Sequence, residues 1–398
     1  MQNFVPQKYC NSPWTIWGVK LYCNWQRFCC KVPGMAPDDA DARVAQTQKE
    51  FLEGKEAVAC HACWDDEHAG GKSFRMLENI SNSANHINRM HWLDTRRKNN
   101  QAIVEIIELE FGDTCNLHCM SCGPNASTTW QQMTQIFPNL GKLEPALVQE
   151  SLDTLNKKIR ENAETLQVIN LYGGEPSVDP MFYRFADDLL DMNILPKSCV
   201  ISITTNGNYS DNFRTRFEKT ITRLQEKNTV KLTYSIDAAG KEGEFIRGGL
   251  DLDRWLKNVK TMWATGINMR VQASISILNV EIYPEIYQWL NDNGLGDIPL
   301  NLNKISVPQD LNIYALGNRI GDFIPKKWLS DKNRGYFEEF IGNQAEGTTG
   351  PNKEQLKNFI ARLDRYEKLT PVNEMPQYYY KLKDRIQALI NEEPVLTK

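Results

Sequence analysis

The sequence predicts an α/β fold built on a parallel sheet, and three observations carry that prediction. From position 102 onward, short β-branched runs alternate with stretches whose apolar residues recur at three-and-four spacing. Six such strand-then-helix units follow one another without interruption. Each of the first four strand-like runs is followed by residues unusual for a turn: Cys115, Cys119 and Cys122, then Gly173 to Pro176, then Asn206 to Asn208, then Asp237.

In chain order the strand-like runs are 102–111, 166–172, 199–205, 231–237, 269–278 and 299–306. Helices are expected between them over 146–162, 181–192, 212–227, 252–265 and 281–292. Strand, crossover helix, strand means parallel pairing. Periodicity alone leaves two closures open, a partial barrel and an open doubly wound sheet. Both place function at the carboxyl ends of the strands.

Outside this region the pattern changes. Residues 1–100 lack the alternation, hold six cysteines and a helical-looking stretch at 42–57, and read as a small cysteine-stapled domain. Residues 101–306 form the βα region, and 307–398 a mostly helical extension expected to pack on the barrel or a sheet edge. Hydrophobic residues make up 41% and charged residues 24% of the 398, which excludes a disordered or collagenous chain. No apolar run approaches the ~20 residues of a membrane span. The amino end has neither the cationic start nor the apolar stretch of a secretory signal, so a cytoplasmic location is expected. A net charge of -4 argues against the whole molecule being an electrostatic nucleic-acid binder.

Nine of the ten cysteines fall within the first 122 residues. In a reducing compartment such crowding reads as metal or cluster ligation rather than disulfides. Residues 111–125, FGDTCNLHCMSCGPN, set three cysteines as C-x3-C-x2-C in a loop directly after a strand. A structural zinc takes four ligands, whereas a [4Fe-4S] cube on three thiolates keeps one iron open. Zinc with His118 as fourth ligand is the plainer alternative, and its adjacency to Cys119 would strain it. Cys199, alone in a strand-like run, reads as a core residue.

This loop resembles the signature of the radical S-adenosylmethionine (SAM) superfamily. Gly173, Gly174, Glu175 and Pro176 look like the family's GGEP motif, and 204–208 and 234–249 resemble the motifs after its third and fourth strands. The resemblance implies a partial (β/α)6 TIM-like barrel, with a [4Fe-4S] cluster on Cys115, Cys119 and Cys122. It further implies SAM held by Gly173, Gly174, Glu175, Asn206, Ser235, Asp237 and Arg247, with Glu175 receiving the methionine amino group. Many members carry an aromatic residue just before the third cysteine; here it is Ser121, so the adenine contact is unassigned. No general base is assigned.

The amino-terminal cysteines are similar to a twitch-like arrangement in radical SAM proteins common in bacteriophage genomes. Those proteins share an early Cys-x2-Pro-Trp (Cys10 to Trp14), a Cys-Cys pair (Cys29, Cys30), and Cys-x2-Cys (Cys60, Cys63) followed by acids, glycine and Ser-x-Arg. The resemblance implies an auxiliary [4Fe-4S] cluster on Cys10, Cys29 or Cys30, Cys60 and Cys63, with Cys23 as an alternative. A zinc ribbon has the same C-x2-C spacing.

Residues 1–37 contain Lys8, Lys20, Arg27 and Lys31 and no acid, interleaved with Tyr9, Trp14, Trp17, Tyr22, Trp25 and Phe28. A second basic group comprises Arg89, His91, Trp92, Arg96, Arg97 and Lys98. Cations among aromatic faces suit a nucleic-acid strand or an extruded base, although they also suit the neutralising of a thiolate-bound cluster. The phage resemblance implies an isomerase that converts N-α-glycinyl-thymidine to C-α-glycinyl-thymidine in viral DNA, protecting it from host restriction. An electron donor such as flavodoxin or ferredoxin would then be a partner, and the host cytoplasm the location. The alternatives are a peptide- or protein-modifying maturase and a zinc-stapled nucleic-acid-binding module.

Overall fold

The computed structural model describes residues 8, 10–68, 73–76, 103–137, 145–324, 350–370 and 375–392. The second basic group at 89–98, the stretch 325–340 and Tyr9 lie outside the described residues.

The amino-terminal segment supplies α1 (Ser12–Thr15), β1 (Ile16–Lys20), β2 (Trp25–Arg27), α2 (Pro37–Leu52) and α3 (His61–His68). The βα region follows: β3 (Ile106–Glu110), β4 (His118–Cys119), α4 (Thr128–Thr134), α5 (Pro145–Asn162), β5 (Val168–Tyr172), α6 (Pro180–Met192), β6 (Val200–Thr205) and α7 (Asp211–Lys227). It continues with β7 (Thr229–Ser235), α8 (Gly240–Ile246), β8 (Arg247–Gly248), α9 (Leu252–Trp263), β9 (Asn268–Ile275), α10 (Glu285–Asp292) and β10 (Leu300–Lys304). Short 3-10 turns over 309–323 lead to α11 (Lys353–Leu369) and α12 (Gln377–Asn391).

All six predicted strands form, and they pair in sequence order, β3, β5, β6, β7, β9, β10, every pair parallel. The order never reverses, so the sheet lacks the switch point of a doubly wound fold. Among the described residues β10 does not pair with β2, so the described sheet is open.

Alternation along each strand sorts the side chains. Ile107 and Leu109, Ile169 and Leu171, Ile201 and Ile203, and Val271 and Ala273 are buried with helix residues such as Leu155, Phe182, Phe217, Trp255 and Ile286. The intervening residues point to the opposite, inner face, and most are polar: Glu108 and Glu110, Asn170 and Tyr172, Ser202 and Thr204, Lys231 and Thr233, Arg270 and Gln272. An all-parallel sheet is ordinarily apolar on both faces. A polar inner face is therefore a departure from that pattern.

The amino-terminal segment differs from the separate unit its sequence suggests. β1 joins the sheet as a parallel neighbour of β3, with Gly18 opposite Glu108 and Lys20 opposite Glu110, and β2 adds an antiparallel edge. The same segment reaches the far edge: Asp66 of α3 lies 3.2 Å from Lys304 at the end of β10, and Lys31 donates to Ser306 at 3.3 Å. It thus spans the open side of the sheet.

The basic, aromatic stretch is largely internal. Trp14, Tyr22 and Phe28 are buried. Arg27 is wedged between Glu108 at 3.6 Å and Glu110 at 2.5 Å and donates to the Tyr172 hydroxyl at 2.9 Å, while Lys20 pairs with Glu110 at 2.8 Å. Trp25, at 44% exposure, is the large apolar ring this stretch offers to solvent. The carboxylate partners of Lys20 and Arg27 arrive from β3, some 80 to 90 residues later, while Lys8 pairs with Glu56.

In the carboxyl-terminal extension, Leu356, Phe359 and Leu363 of α11 join the main core. Tyr366 accepts from Gly248 N at 3.0 Å and donates to His118 O at 2.9 Å, clamping the small β4–β8 ladder.

Candidate active site at the carboxyl ends of the strands

The three-cysteine loop is held by the helix that follows it. Ser127 caps α4, accepting from Trp130 N at 3.2 Å, and its hydroxyl donates to Leu117 O at 2.5 Å. Thr128 and Thr129 donate to Cys115 O at 3.1 and 2.8 Å, and the Trp130 indole donates to Cys119 O at 2.9 Å. Cys115 and Cys119 are thus carried on a backbone whose carbonyls are already satisfied.

Cys119 and Cys122 share a hydrogen bond that holds the proton on Cys119 and lowers Cys122; burial pushes Cys119 further up. Burial also pushes the Cys115 thiol up to about 12. Cys122 is exposed at its surface although protein surrounds it, as on the floor of a recess.

His118 turns away from the thiols. Successive residues of a strand point to opposite sides, and its ring packs at 6.1 Å from Trp130 and 5.9 Å from Tyr366, with burial lowering its pKa. Among the described residues no three of His, Cys, Asp and Glu converge to hold a single metal ion. In a four-iron cube each cysteine binds a different iron, so such convergence is not required.

After β5 the chain turns through Gly173 (φ 91) and Gly174 (φ 52), conformations that disfavour a side chain. A Cβ on Gly174 would meet the Thr114 carbonyl of the cysteine loop. Glu175 N donates to that carbonyl at 2.7 Å. Gly174→Ala is expected to force the two loops apart, costing about 1–3 kcal/mol and weakening SAM binding, as equilibrium dialysis would show; unchanged affinity would deny the contact its role.

Glu175 is buried, and burial raises its pKa against the pull of its hydrogen bonds. One oxygen accepts from Ser177 N at 3.0 Å and Thr205 Oγ1 at 2.6 Å, the other from Asn206 N at 2.5 Å. Of about four acceptor positions on a carboxylate, one is left on the second oxygen. Asn206 extends the connection, donating to Asn116 at 2.8 Å and lying 3.9 Å from the Cys115 sulfur. Asn116 in turn donates to Asn208 O at 2.8 Å. Asn116 was not singled out by sequence reasoning, although it flanks Cys115, which was; Asn208 belongs to the turn after the third strand that the sequence marks.

On the far side, the β4–β8 ladder sets Arg247 directly opposite Cys119. Arg247 pairs with Asp237 at 2.9 Å, and Asp237 also accepts from Ser274 N at 2.8 Å. Burial opposes the guanidinium charge, but Cys119 and Asp237 outweigh it and hold the pKa above its usual value. The buried Nε of Arg247 has no hydrogen-bond partner. Ser235 stands at the end of β7, where its carbonyl accepts from the Trp255 indole at 3.1 Å.

The amino-terminal cysteines also gather. Cys10 and Cys60 pack with Trp14, Phe51 and Trp64, while Cys29 and Cys60 pack with Phe28 and Ala59. Electrostatic coupling joins Cys60 to Cys10 and Cys63, and Cys29 to Cys10. Cys29 and Cys30 share a hydrogen bond that raises Cys29, and burial raises both Cys60 and Cys63. The Ser-x-Arg element folds onto the group: Arg75 N bonds the Cys63 thiol, and its guanidinium lies 4.5 Å from the Trp64 ring. Cys23 stands apart, 4.0 Å from Lys20 O and beside Glu110. Cys199 is fully buried in the main core, as expected.

The Radical SAM superfamily model matches residues 109–289. No curated protein matches the chain. Similar solved structures include Streptococcus suis SuiB bound to precursor peptide SuiA, at 14% identity over 91% of this chain and 71% of that one, TM-score 0.39. Native anSMEcpe with bound AdoMet is 13% identical over 69% of this chain and 64% of that one, TM-score 0.36. TYW1 with a lysine-pyruvate adduct bound is 14% identical over 58% of this chain and 77% of that one, TM-score 0.33. Likenesses at this level carry no argument about substrate. The family match, by contrast, begins on β3 and takes in the three cysteines, the double-glycine turn, Asn206, Asp237 and Arg247, so over residues 109–289 the chain is similar to the Radical SAM superfamily.

Proposed function

We propose that Cys115, Cys119 and Cys122 hold a [4Fe-4S] cluster and that the surrounding strand ends hold SAM. The observation that carries this reading is the pair of unspent polar positions flanking the thiols: one acceptor site on Glu175 and the partnerless Nε of Arg247. A methionine moiety presents an ammonium and a carboxylate, which complement them. The cluster and SAM together supply a 5'-deoxyadenosyl radical able to take hydrogen from unactivated carbon. Gly173 and Gly174 let the backbone approach closely, Asn206 ties the glutamate turn to the cysteine loop, and Asp237 with Ser235 would approach the ribose. The sheet, read as a partial barrel, supplies a walled chamber on its inner face.

Cys10, Cys29 or Cys30, Cys60 and Cys63 are the proposed ligands of an auxiliary cluster; Cys23, whose thiol lies 4.0 Å from Lys20 O, is left out of the proposed set. For substrate, the reading is N-α-glycinyl-thymidine in DNA. There the bond from the thymine methyl carbon moves from nitrogen to the glycyl α-carbon, an isomerisation without net oxidation that draws on an external donor such as flavodoxin for its starting electron. The motif resemblance and the polar inner face support it; the amino-terminal aromatic stretch, being internal, does not. The test is anaerobic reconstitution, reduction with dithionite and SAM, and measurement of 5'-deoxyadenosine with and without a duplex carrying N-glycinyl-thymidine. Conversion of the base to its C-linked isomer is expected. Cleavage of SAM that responds only to peptides would replace the DNA substrate with a peptide one, and zinc in place of iron would overturn the whole reading.

A further inference from the structure

The inner face of the sheet is charged unevenly. At the β1–β3 side, Lys20 and Arg27 are matched by Glu108 and Glu110. Three strands away, Lys231 and Arg270 face the same chamber with no such match. Register pairs Thr233 with Arg270 and Lys231 with Asn268, which sets the two cations diagonally on one face of adjacent strands. Arg270 Nε donates to Thr233 Oγ1 at 2.8 Å, fixing the guanidinium plane. Among the described residues no carboxylate pairs with either side chain.

Burial works against both charges, and Arg270 adds to the pressure on Lys231. Two like charges held half-buried with nothing opposing them cost stability. A bound anion would remove that cost, and the free edge of a guanidinium is shaped to bind an oxyanion by two parallel hydrogen bonds.

We propose that Lys231 and Arg270 form an oxyanion subsite on the inner face, which takes a phosphate or carboxylate of the substrate. The proposal rests on the reading of that face as the substrate chamber. From Thr233, level with Arg270, to Asp237 at the mouth is four residues, or about 13 Å of extended chain. The anion is accordingly a group remote from the reacting carbon rather than a carboxylate attached to it.

The test uses the reconstituted full chain at low ionic strength, titrated calorimetrically with inorganic phosphate and, separately, with acetate. At least one is expected to bind, and Lys231→Gln and Arg270→Gln are each expected to weaken it by about tenfold or more. Arg270→Lys, which keeps the charge, should retain more affinity than Arg270→Gln. Should Arg270→Gln fail to fold, Lys231→Gln carries the comparison. Tighter phosphate than acetate would identify a phosphate as the natural group, and the reverse a carboxylate. Failure of both anions to bind, or equal binding by the double variant, would overturn the subsite. Wild-type SAM cleavage in the same preparation separates the two readings: cleavage without anion binding removes the subsite alone, and absence of cleavage removes the function proposed above.

Discussion

Replacing Cys115, Cys119 or Cys122 by Ala is expected to abolish SAM cleavage, a fall of ~100-fold or more that corresponds to at least ~2.7 kcal/mol of barrier. The loop itself should survive. Its anchors are the Ser127, Thr128, Thr129 and Trp130 side chains bonding to backbone carbonyls, none of which involves a thiol hydrogen. Iron and sulfide should drop by one cluster's worth in each variant, and under the auxiliary-cluster proposal the amino-terminal set should keep its own. Full 5'-deoxyadenosine production by any one of the three would remove that cysteine from the ligand set. The matching Cys23→Ala substitution should leave the iron count unchanged.

The second large effect concerns stability. Arg27→Met is expected to destabilise the fold by about 3–5 kcal/mol, because it removes a buried cation and leaves carboxylates behind in the same place. Arg27 and Glu108 are 9% and 7% exposed at their side chains, so water does little to compensate. Urea denaturation of the wild type and the variant measures the loss. Adding Glu108→Gln to Arg27→Met should recover a substantial part of it, since the glutamine needs no counter-charge. If the single variant were as stable as the wild type, the Arg27 cluster would hold nothing together.

The βα region was legible because its two periods are local. Runs such as CVISITT and KLTYSID announce strands, and the structure moves their ends by only a few residues. The predicted strand at 269–278 stops at Ile275 because the Asn279 side chain accepts from Ser276 N at 2.8 Å and bends the chain. Equally, the helix expected from 281 begins at Glu285, just past Pro284, as the restriction that proline places on its predecessor requires.

What stayed hidden was non-local. IWGVK, five residues with a central glycine, gives no strand signal strong enough to stand alone, and its partner β3 lies about 90 residues away. The amino-terminal cations looked like a nucleic-acid strip because composition shows what a segment lacks and not what comes to meet it. Lys231 and Arg270 went unnoticed for a related reason: each is an ordinary surface residue by sequence, and only the register places them side by side. In the site, the cysteines, the double glycine and the Asn206 to Asn208 turn could be read from the sequence, whereas the part played by Asn116 emerges only when the loops converge.

The segment that spans the open side of the sheet also has a bearing on handling the protein. A strand with a bare side is a template for pairing with another molecule. β1 and β2 cover the β3 side, while α3 and Lys31 tie down the neighbourhood of β10 through Lys304 and Ser306. Trimming the chain back to its βα units would therefore uncover β3 along its full length and untether the opposite strand at once. Such a fragment would precipitate for reasons unrelated to iron, and the cysteine-rich segment must be counted as the molecule's guard against aggregation as well as a carrier of thiols.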